Sequence, residues 1–135
     1  MQEFPIRIVT PRGEKYNGSA YSVLVRSVVG DVCIRAKHSD YITVIDIGRV
    51  IIKYADGSEA RCACTSGYLS VKNGAVSIVV AAFEFSDQID INRALDAKER
   101  AEHIISTAED ERDIKIAQIK LKRALNRISL SDQSK

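Results

Sequence analysis

The sequence predicts a mainly β protein with an α-helical tail: an antiparallel β-sandwich or barrel over residues 1–86, then a two-helix antiparallel hairpin over 87–135. Three observations predict it. Short apolar runs with a period of two fill the first part. Asp56-Gly57 and Asn73-Gly74 punctuate those runs, and both dipeptides tolerate the positive φ of tight hairpin turns. From Asp90 onward proline and glycine vanish, while Ala, Lys, Arg, Glu and Ile dominate, a helix-favouring mixture.

The elements follow in order. Phe4, Ile6 and Ile8 alternate with Pro5, Arg7 and Val9, as on a half-buried strand, and Pro11-Arg12-Gly13 breaks the run. Further short strands are expected over 21–29, 32–36, 42–45 and 49–54. Across Asp56-Gly57, residues 50–54 face 60–64; across Asn73-Gly74, residues 68–71 face 75–80. In the tail, Ile91, Ala94, Leu95, Ala101, Ile104, Ile105 and Ala108 lie near one helical stripe. Ile114, Ala117, Leu121, Ala124 and Ile128 advance by three and four, an a/d seam broadened by Leu125. Between the stripes Ser106-Thr107 serves as an N-cap or a break, and acidic Glu109, Asp110 and Glu111 suit the start of the second of two helices of about four turns each.

Composition narrows the function classes. The 135 residues are 45% hydrophobic and 28% charged, an ordinary globular balance. Twenty Lys+Arg against 18 Asp+Glu leave a net charge of +2, which gives nucleic-acid binding no support, and no aromatic residue follows Phe85 to stack on bases. The longest stretch free of charge, Asn73 to Phe83, is too short for the roughly 20 apolar residues of a membrane-spanning helix, so no direct membrane insertion is expected. No secretory signal is visible, and three cysteines fit free thiols in a reducing compartment.

Catalytic constellations are thin. His38 and His103 are the two histidines and lie in different halves. Cys62 and Cys64 have one residue between them, the wrong spacing for a zinc or redox knuckle, and alternation places both on one packed sheet face. No Walker, Rossmann or nucleophile-elbow spacing exists. An enzyme and a metal site are therefore not expected.

The domain junction is richer. Arg93 and Arg100 lie two turns apart on one helix, and Arg123 and Arg127 lie one turn apart on the other. An antiparallel hairpin brings four guanidinium groups toward one polyphosphate, with Glu84 and Asp90 as acceptors for an exocyclic amine. The plainer reading makes Asp90 an N-cap and pairs the arginines with Asp96, Glu99 or Glu102. Lys115, Lys120, Lys122, Arg123 and Arg127 follow the acidic start of the second helix, either as a solvated face or as a dock for an acidic partner.

The order Ile8-Val9-Thr10-Pro11-x-Gly13, Gly30-Asp31, His38, Thr43, Gly48-x-Val50, Thr65-Ser66-Gly67-Tyr68-Leu69-Ser70-Val71 and Ile89-Asp90-x-x-Arg93-Ala94 resembles the epsilon subunit of bacterial and chloroplast F-type ATP synthases over essentially the whole chain. The resemblance implies a ten-stranded antiparallel β-sandwich followed by two helices. It implies a non-catalytic central-stalk subunit whose sandwich binds the gamma subunit and the membrane c-ring, with Asp31, His38 and Tyr41 as stalk and ring contacts. The helices then form a mobile regulatory hairpin that inhibits ATP hydrolysis by the alpha/beta catalytic head, through Lys115, Lys120, Lys122, Arg123 and Arg127. ATP, with or without Mg, is the implied regulatory ligand of the compact hairpin, at Glu84, Ile89, Asp90, Arg93, Ala94, Arg100, Arg123 and Arg127. The implied location is peripheral, on the cytoplasmic face of a bacterial membrane. Where the family loop usually reads Phe-Gly-Ile-Leu-Pro-Gly-His-Ala-Pro, this chain carries Val32-Cys33-Ile34-Arg35-Ala36-Lys37-His38-Ser39-Asp40. The competing reading is a free-standing β-sandwich nucleotide sensor or ligand-binding module that dimerises through its helices.

Overall fold

A computed structural model of the chain describes the backbone of residues 2–133 and the side chains of residues 2–131. Met1, Ser134 and Lys135, which the two expected domains include, lie outside the described residues. The chain divides into two compact units, Met1–Phe85 and Ser86–Lys135.

Among the described residues, nine strands build the first unit: β1 (Phe4–Thr10), β2 (Gly13–Ala20), β3 (Ser22–Ser27), β4 (Gly30–Arg35), β5 (Tyr41–Lys53), β6 (Glu59–Cys64), β7 (Gly67–Lys72), β8 (Ala75–Val80) and β9 (Phe83–Phe85). The path β2-β1-β8-β7-β5-β3-β4 is extended by β6, which pairs with β5 and β9. The 13-residue β5 belongs to both layers. Its residues 41–45 pair with β7, and its residues 48–53 pair with β6. Between them the β3 register jumps from Val25↔Val50 to Ser27↔Ile45, a bulge that turns the strand from one layer to the other. Counting β5 once gives nine strands where ten are expected; counting its two arms separately restores ten. The expected separate strands 42–45 and 49–54 are these two arms. The arrangement also departs from a purely antiparallel one, because β1 runs parallel to β8 from Ile6↔Val76 to Val9↔Val79.

Alternation positions the core. Phe4, Ile6 and Ile8 of β1 are buried and meet Val23, Val25, Ile34, Ile45, Val50, Ile52, Leu69 and Ile78 in one cluster. Cys62 and Cys64 are buried in the same core as expected, and burial pushes the Cys64 thiol up to about 12. All three cysteines are free, with Cys33 exposed. Asn73 and Gly74 close the β7–β8 hairpin with φ of 52° and 79°, the paired positive values that a two-residue turn of this hand requires.

The second unit holds a short 3-10 turn (Ser86–Gln88), α1 (Ile91–Thr107) and α2 (Glu111–Gln133). Asp90 caps α1, its Oδ1 accepting from the Arg93 N–H at 3.2 Å. The cap of α2 falls to Asp110, whose Oδ1 accepts from the Arg112 N–H at 2.9 Å. Ser106 and Thr107 instead finish α1, both hydroxyls donating to the His103 carbonyl. At 23 residues α2 extends about 34 Å, beyond the expected four turns. It has length to pass the start of α1 and run beside the 3-10 turn.

Candidate docking and nucleotide surfaces

The helix pair meets on alanine. Ala94 and Ala101 of α1 and Ala117 and Ala124 of α2 are all buried, two pairs at heptad spacing. A three-residue connection, Ala108 to Asp110, turns the helices antiparallel. Ala101 and Ala117 lie equally far from Glu109 along the chain, as do Ala94 and Ala124, so the two pairs stand level. Small side chains let the backbones approach closely but bury little apolar surface. Ile114, Leu121 and Ile128 of the expected seam are only half-buried, and Leu125 stays 46% exposed. The seam is thus occupied within one chain, by α1.

The seam also orders the basic residues. Each residue turns about 100° around a helix, so Arg93, Arg100 and Arg123, each one before a seam alanine, leave the interface sideways. In an antiparallel pair, that side is the same for both helices. Arg127, three beyond Ala124, emerges there too. The hairpin therefore brings all four predicted arginines to one face. Arg93, Arg100 and Arg123 are exposed and make no ion pair with a described residue; the ion pair on α1 is Lys98–Glu102 at 3.9 Å. The expected pairing with Asp96, Glu99 or Glu102 does not form. Lys120 joins this face, whereas Lys115 and Lys122, one heptad apart, point away from it. The five-residue basic set is thus two stripes.

The remaining nucleotide candidates have separate places. Ala94 is fully buried in the seam, Asp90 is engaged as the cap, and Ile89 is half-buried with its N–H donating to the Ser86 carbonyl. Glu84 sits half-buried on β9, opposite Ala63 in the sandwich unit.

On the sandwich, His38 and Tyr41 come together, their ring centroids 5.7 Å apart. His38 Nδ1 lies 2.7 Å from the Ser39 carbonyl, which only accepts, so Nδ1 carries the hydrogen. Asp31 stands elsewhere, near the far end of β4, 3.6 Å from Arg49. A feature the sequence reading missed lies on β5 and its neighbours. Val28, Val29, Ile42, Val44 and Tyr68 are 44–80% exposed. Val44 pairs with Tyr68 across the ladder, and the Val28 N–H donates to the Val44 carbonyl, so the exposed groups are contiguous. Apolar residues on both faces of β5 hid the outward face from any alternation argument.

Comparison with known proteins decides the family. The sequence model of the ATP synthase Delta/Epsilon chain beta-sandwich domain matches residues 3–86, and that of its long alpha-helix domain matches residues 87–132. The chain belongs to the ATP synthase delta/epsilon family. Family members named ATP synthase epsilon chain include those of an Exiguobacterium species, 33% identical with 98% of each chain covered, and of Latilactobacillus sakei, 37% identical over 94% of this chain and 91% of that one. The Bacillus pumilus epsilon chain is 36% identical over 97% and 98%. Among solved structures, a chain of the Euglena gracilis mitochondrial ATP synthase, an OSCP/F1/c-ring assembly, superposes with a TM-score of 0.80 at 17% identity, covering 92% of this chain and 78% of that one. A chain of the Tetrahymena thermophila mitochondrial central stalk and c-ring superposes with 0.64 at 13% identity over 96% and 97%. Those two likenesses are of fold. Family members of this kind are non-catalytic subunits of the complex. No helix among the described residues is long and apolar enough to cross a membrane.

Proposed function

We propose that this chain is the central-stalk subunit that joins the catalytic alpha/beta head to the gamma subunit and the membrane c-ring, peripheral on the cytoplasmic face of a bacterial membrane. The sandwich is the binding platform. Its contiguous exposed patch of Val28, Val29, Ile42, Val44 and Tyr68 supports this, since such a patch marks a protein contact. Asp31, His38 and Tyr41 are its polar contributors.

The helices are the regulatory part. In an extended form α2 blocks hydrolysis, with Lys115, Lys120, Lys122, Arg123 and Arg127 meeting an acidic surface of the head. ATP, with or without Mg, holds the compact form through Ile89, Asp90, Arg93, Arg100, Arg123 and Arg127 of the helical unit; Ala94, fully buried in the seam, sets the close approach of the helices rather than touching the ligand. The observation that carries this reading is the alanine seam: it aligns four arginines on one face while holding the hairpin only modestly. Arg93, Arg100 and Arg123, which pair with no described acid, repel one another, and a triphosphate relieves that repulsion. A ligand at about 100 times its Kd stabilises the form it binds by about 2.7 kcal/mol, enough to empty a marginal competitor.

Hydrolysis by a catalytic head stripped of its own small stalk subunit tests the whole reading. Full chain and a truncation ending at Asp87 should both bind, and the full chain alone should inhibit. Failure of both to bind the head overturns the stalk role. Calorimetry of Arg93→Ala with Arg100→Ala should show ATP affinity lost; unchanged affinity removes the nucleotide assignment.

A further inference from the structure

The sheet path ends at β2, β4 and β9, and these edges are not alike. β9 is three residues long, and the β1–β2 register slips at Ile8/Val9, a bulge that twists the β2 edge. β4 pairs with β3 without interruption from Ser22↔Arg35 to Ser27↔Gly30, and no strand lies beyond it among the described residues. The hairpin closes on Ser27↔Gly30 around two residues, so that pair exchanges its backbone bonds, as do Val25↔Val32 and Val23↔Ile34. The N–H and C=O groups of Asp31, Cys33 and Arg35 therefore point away from β3, along an open edge.

The side chains of the same three residues are exposed, while Val32 is half-buried and Ile34 lies in the core. Their charges are arranged about Cys33, with Asp31 two residues before it and Arg35 two residues after. Arg35 makes no ion pair with a described residue, and its guanidinium carbon lies 5.7 Å from the Tyr21 ring centre. Asp31 meets Arg49 at 3.6 Å with both side chains about half exposed, a pair of little strength. Charges of one sign protect an edge, because a second copy brings the same sign. Opposite charges at equal distances from a centre do the reverse.

We propose that β4 is a docking edge for a second copy of this chain, forming a two-fold antiparallel β4–β4 ladder centred on Cys33. Each Asp31 then faces the partner's Arg35, each Val32 faces the partner's Ile34, and the two Cys33 face each other. Both backbone bonds are exchanged at each of the pairs made by Asp31, Cys33 and Arg35, the residues whose groups point outward. Every charge on the edge meets its opposite. The strand of another protein would fit the open backbone equally well; the self-matching charges select a second copy. A six-residue ladder is a small interface, so the pair is weak and reversible, and it covers Asp31. The inference stands apart from the stalk role; where that role holds, a chain is either paired or engaged through Asp31.

Sedimentation equilibrium of the full chain, with thiols kept reduced, tests this. The wild-type chain should pass from monomer to dimer across about 10–1,000 µM. Asp31→Arg leaves two positive groups on the edge and Arg35→Asp leaves two negative ones, and each variant alone should dimerise about tenfold more weakly. Mixed one to one, the two variants should pair with each other at about the wild-type affinity, and the double variant should pair with itself as well. Unchanged melting temperatures would show that the exposed substitutions leave the fold intact. A short bis-maleimide should join two wild-type chains through Cys33, because facing Cα atoms in such a ladder lie about 5.5 Å apart; Cys33→Ser should prevent the joining. A wild-type chain that stays monomeric up to about 1 mM overturns the inference. A dimer that neither single variant weakens, or that the mixture fails to restore, also overturns it, because another surface then holds the copies together.

Discussion

Replacing Gly67 with alanine should unseat the sandwich. Gly67 opens β7 directly opposite Val80 of β8, and the two strands approach so closely there that no side chain fits. A Cβ built on Gly67 would overlap the Val79 carbonyl oxygen and lie 2.7 Å from the Val80 Cα and 2.9 Å from the Val79 carbonyl carbon. Ordinary carbon–carbon contact is about 3.5–4.0 Å, so β7 and β8 must part by roughly 1 Å. All three atoms are backbone, and none can rotate aside. Overpacking of this kind costs about 1–3 kcal/mol, and each ladder hydrogen bond lost adds about 1 kcal/mol. The stiffer unfolded chain of alanine returns about 0.4–1 kcal/mol. The net is a destabilisation of about 2–3 kcal/mol, or roughly 8–24 °C in melting temperature for a unit of this size. All five tyrosines lie between residues 16 and 68 and tryptophan is absent, so tyrosine fluorescence reports this unit alone. A fall in midpoint of less than about 2 °C would refute the close-approach argument.

Three further outcomes are expected. Ala101→Leu or Ala117→Leu should weaken the helix pair by about 1–3 kcal/mol, read as earlier melting at 222 nm with tyrosine fluorescence unmoved. In the native chain a thiol reagent should modify Cys33 quickly and spare Cys62 and Cys64, all three reacting only after unfolding; rapid reaction of Cys64 would contradict its burial. Burial, then the charge and hydrogen bond of neighbouring Tyr16, hold the Tyr54 hydroxyl up at about 12. A raised folded value means the stabilisation is whole below the ordinary value of 10.0 and is lost as pH climbs through about 12. Subtracting the ultraviolet titration of Tyr54→Phe from that of the native chain should leave a step near the upper value; a step at 10 would show that Tyr54 is not shielded.

The sandwich was legible where alternation was clean and turns were chemically marked. Phe4, Ile6 and Ile8 declare β1, and Asn73-Gly74 declares the β7–β8 hairpin. β2 was not legible, because Gly13 to Ala20 is largely polar and exposed. It is a strand through its ladder to β1, and an edge strand needs no apolar stripe of its own. The parallel β1–β8 pair was equally hidden, since pairing across some seventy residues leaves no local trace. Of the candidate site, helical spacing sufficed to group Arg93 with Arg100 and Arg123 with Arg127. It could not separate Lys115 and Lys122 from the arginine face, which depends on which alanines are buried. Nor could it place Lys37 in the left-handed region, because a residue's own φ is set by the loop that holds it.

The parallel pairing of β1 with β8 imposes an order on how the protein comes into being. The flank of β1 not used by β2 must wait, unpaired and lined by Ile6 and Ile8, until Val76 to Val79 emerge from the ribosome. Long-range pairing of this kind is slow, and a waiting apolar edge is what chaperones capture and aggregates recruit. The helices, made last and held by contacts close in sequence, need no such delay. A cell that makes this chain therefore completes its sandwich late in synthesis and its helix pair within moments afterward.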